Sequence, residues 1–158
     1  MPAPLGLKVV LDKHGMPRYS VRGIVVHRKH LYVADEAADA VKVFNVQSGE
    51  LMARITGREL KAPVHLILHG ETLYIGASGS GSILALDLKS PPKGELEARV
   101  VIAGELDAPS GVAVGPEGDL YVAERKKQRV RRFSFDGKKE GTFIHNLPDM
   151  PEFLVYVP

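Results

Sequence analysis

The sequence predicts an all-β fold: a β-propeller of four-stranded antiparallel blades, with about three blades complete. Three observations carry this. A five-residue core recurs as Leu31-Tyr32-Val33-Ala34-Asp35, Leu73-Tyr74-Ile75-Gly76-Ala77 and Leu120-Tyr121-Val122-Ala123-Glu124. The copies stand 42 and 47 residues apart, close to the roughly 40–45-residue period of a four-stranded blade. Each core also follows an apolar run, at Gly23–Val26, His65–Leu68 and Gly111–Val114. Finally, turn-forming residues cut each unit into four short segments, and no window repeats apolar residues at helical spacing.

The third unit shows the pattern most plainly. Its strands are expected at Gly111–Val114, Leu120–Ala123, Arg129–Ser134 and Thr142–His145. Gly115-Pro116-Glu117-Gly118, the Glu124–Gln128 stretch and Asp136-Gly137 form the turns between them. The first strand is continuously apolar, as for a strand buried on both faces, while the third mixes charged and apolar positions, as for a partly exposed one. Ahead of the first unit, Leu7–Leu11 reads as the outer strand of a preceding blade. After the third, Phe153–Val157 reads as the inner strand of a following one, with Pro151 one period beyond Pro109.

Residues 1–158 therefore read as a single, partial or half propeller domain. Closed propellers have 4–8 blades, and three blades leave two open faces and unpaired edges. Either the chain is an excerpt of a longer propeller, or two copies form a homodimer that completes a ring of about six blades. The second reading is preferred, because a three-blade monomer leaves apolar faces in water.

Composition narrows the function classes. Cysteine is absent, which removes disulfides, thiolate metal sites and a thiol nucleophile. The 21 Lys and Arg nearly balance the 19 Asp and Glu, so only local clusters carry electrostatic information. The N-terminus lacks the basic head and long apolar core of a signal peptide. No apolar run approaches the roughly 20 residues of a membrane span. The lack of cysteine favours a reducing, cytoplasmic compartment and also fits a secreted protein stabilised by its sheet alone, so the compartment stays open; no membrane partner is expected.

The third unit also carries a family resemblance. Pro109-Ser110-Gly111-Val112-Ala113-Val114-Gly115-Pro116-Glu117-Gly118-Asp119-Leu120-Tyr121-Val122-Ala123-Glu124, followed by Arg129-Val130, a phenylalanine and Asp136-Gly137, resembles the NHL repeat. The first unit matches less fully, through Leu31–Asp35 and Val41–Phe44. The second is looser, because Ser78–Gly81 replaces the usual Asp-x-x-Asn turn. The resemblance implies a propeller of the six-bladed gluconolactonase-like and NHL superfamily, which mixes enzymes with binding scaffolds.

Strand direction places Arg22, His65, Ser110 and Glu152 at nearly equivalent starts of first strands, around one mouth of the central channel. In the resembled families that end commonly binds ligand, and this set suits a small polar or charged one. Asp35 and Glu124 are expected to bond turn amides. Arg125, Lys126, Lys127 and Arg129 belong to a run with six basic residues in eight, Arg125–Arg132, with Lys138 and Lys139 on a later turn. Such a run suits phosphates or an acidic protein. However, Arg131 and Arg132 point to opposite faces of a strand, and no clustered aromatics accompany them to stack bases.

No catalytic set converges. His27, His30 and His69 fall at the end opposite His65, leaving only His14 to join it, and the glycine–serine stretch 76–81 is read as a flexible turn. The favoured reading is a non-enzymatic binding or assembly module, without cofactor, that presents a propeller face to a protein or small polar ligand. Two alternatives follow from the resemblance. One is a metal-dependent hydrolase or lyase assembled across a dimer, drawing ligands from His65, Glu152, Asp35 or Glu124. The other is a single-stranded RNA binder using residues 125–132.

Overall fold

The computed structural model describes residues 10–11, 17–18, 21–138 and 140–158. Leu7–Val9 of the expected first strand, His14 and Lys139 lie outside the described residues. Strands β1 (Val10–Leu11) and β2 (Pro17–Arg18) pair antiparallel. Blade 1 is β3 (Val21–His27), β4 (His30–Asp35), β5 (Ala40–Asn45) and β6 (Leu51–Thr56), with a 3-10 turn at Glu36–Ala38. Blade 2 is β7 (Pro63–His69), β8 (Thr72–Ala77), β9 (Ser82–Asp87) and, beyond an inserted β10 (Gly94–Glu97), β11 (Arg99–Ile102). Blade 3 is β12 (Pro109–Val114), β13 (Leu120–Glu124), β14 (Arg129–Phe133) and β15 (Glu140–Ile144). The chain is thus an all-β partial propeller of three antiparallel blades. No helix among the described residues is long and apolar enough to cross a membrane.

The repeated core forms the second strand of each blade because its alternation serves two blade faces at once. Leu31, Leu73 and Leu120, with Val33, Ile75 and Val122, point to the side facing a preceding blade. Tyr32, Tyr74 and Tyr121 point to the side facing a following one. Two apolar cores result. Tyr32, Val41 and Ile55 of blade 1 meet Leu66, Leu73 and Ile75 of blade 2. Tyr74, Ile83 and Ile102 of blade 2 meet Val112, Leu120 and Val122 of blade 3. The inner strand β12 is buried along its whole length, as expected. By contrast β3 is largely exposed, since among the described residues no blade packs on its other side.

Two features were not expected. The first is β10, which leaves blade 2 after β9 and pairs in parallel with the outer strand of blade 1, from Gly94 opposite Ala53 to Glu97 opposite Thr56. Pro91 and Pro92 explain the detour: neither can donate to a ladder, so the chain rejoins blade 2 only at β11. The second is the last segment. Residues 153–157 lie beside β12, where a Cβ on Gly111 would stand 2.7 Å from the Leu154 nitrogen. Yet they join no ladder.

The glycine–serine turn is tied down rather than loose. Ser78 and Gly79 amides donate to Ala62 and Lys61 carbonyls at 3.0 Å, and the Ser80 hydroxyl donates to the Glu59 carbonyl. Gly81 has φ +68°, and a Cβ there would fall 2.4 Å from the Leu106 oxygen. Glycine is therefore required at that position.

Candidate functional site

Each inner strand begins with a β-bulge, and the bulges build the channel mouth. Register shifts between Pro63 and His65 and between Pro109 and Gly111, leaving Val64 and Ser110 unpaired. A shift between Val21 and Ile24 puts Arg22 in the same place. A bulge re-aims the extra side chain out of the sheet, here toward the mouth. The backbone is set up for it by Ala62 and Ala108, which hold φ of 46° and 54° before Pro63 and Pro109.

Arg22, Val64, Ser110, Arg125, Glu152 and Phe153 line a cleft of about 230 Å³. Three of the four predicted mouth residues therefore meet there. The fourth is corrected: Val64 holds the equivalent place, and His65 stands one residue further in. The signal was the proline that opens these strands: Pro63, Pro109 and Pro151 are each followed by the mouth residue. The charges in the cleft are mutually matched. Arg22 pairs with Glu36 at 2.7 Å, and Arg125 with Glu152 at 3.2 Å. The Ser110 hydroxyl donates to the Pro151 carbonyl at 2.6 Å. His65 packs its ring 5.9 Å from that of Phe153. Burial lowers its pKa below the ordinary histidine value, against a smaller opposing effect of a hydrogen bond with the Val112 backbone.

The acids that end the second strands are structural. Asp35 accepts from the Ala38 amide at 3.2 Å and meets the Lys42 ammonium at 3.0 Å, both side chains being buried. Glu124 accepts from the Asp107 amide at 2.8 Å, a partner in the preceding connection rather than the following turn. It also pairs with Arg129 and lies 3.9 Å from Arg131. Ala77 and Leu84 occupy the matching positions in blade 2, where an apolar pair does the same job. These commitments bear on the metal that the family resemblance implies. Asp35 and Glu124 are held by cations, Glu152 by Arg125, and His65 against Phe153. The donor set does not fit a metal ion, and among the described residues no three His, Asp or Glu groups are gathered for one.

The basic run is also largely neutralised. Lys127 lies 3.9 Å from Asp107, and Arg132 pairs with Asp119 and Glu117. Buried Arg131, which the sequence pattern placed on a partly exposed strand, meets Glu140 and lies 4.7 Å over the Phe133 ring. Arg125, Lys126 and Lys127 are exposed, Arg129 half-buried.

Residues 106–133 match the family model of the NHL repeat. The third blade is thus similar to an NHL repeat. Solved structures place the three blades among propellers. A streptogramin B lyase superposes with a TM-score of 0.71 at 16% identity, covering 94% of this chain and 48% of the lyase. Virginiamycin B lyase from Staphylococcus aureus gives 0.68 at 18%, covering 85% and 45%. A chain of a nidogen–laminin complex gives 0.68 at 16%, covering 92% and 60%. The chain spans about half the length of the lyases it matches. At these identities the likeness establishes the fold. No curated protein sequence matches the chain.

Proposed function

We propose that the chain is a binding module whose recognition site is the cleft at the channel mouth. The observation that carries this is the convergence of Arg22, Ser110, Arg125 and Glu152, from blades 1 and 3 and the last segment, on one small cleft. Its charged groups are already paired with protein partners. A small polar ligand or peptide terminus bearing both charge types exchanges those pairs for its own, keeping every group satisfied. Among the described residues neither a nucleophile–base pair nor a metal donor set accompanies them, which favours binding over turnover. The similarity to a chain of a nidogen–laminin complex agrees with a scaffold role, and that to two lyases keeps an enzymatic role as the competing reading. The RNA reading has less support, because most of the basic run is compensated by nearby acids.

The test is an NMR titration of labelled protein against a panel of dicarboxylates, amino acids and short peptides. Saturable shifts centred on Arg22, Ser110, Arg125 and Glu152, lost in Arg125→Ala, are expected. Shifts centred elsewhere overturn the proposal, as does lyase activity of the purified protein on a B-type streptogramin. Salt-sensitive single-stranded RNA binding that vanishes when Lys126 and Lys127 become Gln would favour the RNA reading instead.

A further inference from the structure

The two outer faces of the arc are the two halves of an interface that the chain already builds twice. On the side facing a following blade, Tyr32, Val41 and Ile55 of blade 1 are 0% exposed. Their counterparts Tyr74, Ile83 and Ile102 of blade 2 are 7%, 0% and 2% exposed. Strand register assigns Tyr121, Val130 and Ile144 of blade 3 to the same three places. There Tyr121 is half-buried, and Ile144 is 41% exposed beside Phe143 at 57%.

The opposite side tells the same story. Leu66 of blade 2 and Val112 of blade 3 are buried against the preceding blade, as is Val114. Ile24 and Val26 are their equivalents in blade 1, and they stand 58% and 56% exposed. Leu31, Val33 and Phe44 complete this face as Leu120, Val122 and Phe133 do in blade 3.

We propose that the blade 3 face around Tyr121, Val130 and Ile144 binds the blade 1 face around Ile24 and Val26 of a second copy, in a closed pair. Each apolar surface then meets the partner chemistry that it meets inside the chain. The contact is head-to-tail, so a pair closes only when both contacts form together. Arg132 marks the one departure: it stands where blades 1 and 2 carry Val43 and Ala85, paired with Asp119 and Glu117 at the rim. In the free chain residues 153–157 occupy the slot that the incoming inner strand needs, and Leu154 and Tyr156 line the groove against Tyr121 and Val130. Having no ladder, they give way. Phe153 lines the cleft as well, so pairing is expected to reshape one wall of it.

The test is the solution mass of the full chain by light scattering and sedimentation across a concentration series. Twice the 17.2 kDa chain mass is expected, approached as concentration rises. Ile24→Glu and Ile144→Glu change exposed side chains on opposite faces. Each is expected to weaken association more than about tenfold while circular dichroism stays native, since each buries a charge in an apolar contact. Val26→Glu repeats the first with a second residue. Because closure needs both contacts, neither the double variant nor a mixture of the two single variants is expected to reach the wild-type mass. Leu154→Glu, which loosens the last segment, strengthens association. A wild-type chain that stays monomeric overturns the proposal, as do heavier species, indifference to either substitution, or weakening by Ile24→Glu alone. The cleft titration is run on the monomer at low concentration, where Glu152 and Phe153 keep their places in the cleft, so the two ideas fail separately.

Discussion

Lys42 and Asp35 show how one residue pair is used and replaced within a single chain. The pair is buried in blade 1, and the same positions in blade 2 hold Ala77 and Leu84. Removing one member of a buried pair strands the other charge, at a cost of about 3–5 kcal/mol, whereas an apolar replacement of both is close to neutral. Lys42→Leu is therefore expected to lower stability by roughly that amount in urea unfolding. The double change Asp35→Ala with Lys42→Leu should lose only about 1 kcal/mol, for the amide of Ala38 that Asp35 accepts from. His65 gives a second residue-scale prediction. Its folded pKa is depressed by burial, so the unfolded chain binds the proton more readily. Stability is full above the ordinary histidine pKa of about 6.5 and falls as pH drops below it. His65→Leu should flatten that slope in a pH series of melting curves; an unchanged slope would assign it to other groups. The residue scale is also where the sequence was least legible. The repeat identifies the strand starts, and the prolines at 63, 109 and 151 would have put Val64 rather than His65 in line with Ser110 and Glu152; the bulge then turns that side chain out of the sheet. The pairing of the basic run was hidden, since its acids come from other turns.

At the scale of elements the sequence was far more informative, because strand period and blade period are both written in the spacing of apolar residues. Every strand of blade 3 appears within two residues of its expected bounds. What escaped was β10, whose segment Gly94-Glu95-Leu96-Glu97 alternates too briefly to signal a strand and gains its partner from another blade. Close approach of inner strands gives the prediction here. A Cβ on Gly23 would stand 2.8 Å from the Leu66 nitrogen, and one on Gly111 2.7 Å from that of Leu154. The two crowdings are alike but their neighbours are not. Leu66 is fixed in the β7–β8 ladder, while Leu154 has none. Gly23→Ala should therefore cost about 1–3 kcal/mol, as overpacking does. Gly111→Ala should cost less, by pushing residues 153–157 aside. Equal losses would mean that the last segment is held as firmly as a laddered strand.

For the molecule as a whole, stability comes from two interblade cores of similar make, so the blades form a short stack in which each meets only its neighbours. Such stacks unfold from whichever end is held least. Here β10 breaks the symmetry of the stack. It belongs to blade 2 in sequence and to blade 1 in hydrogen bonding, so neither of these blades can open without tearing strands from the other. Blade 3 has no such tie, and its outer strand β15 is exposed at every residue. The arc should then come apart in two steps rather than three. Native-state hydrogen exchange is expected to show amides of β13 and β14 opening first, at a lower free energy, and those of β4, β5, β8 and β9 exchanging later with one shared value. A parallel strand of four residues would in that way act as a latch, turning two of the three repeats into one cooperative unit and leaving the third to breathe on its own.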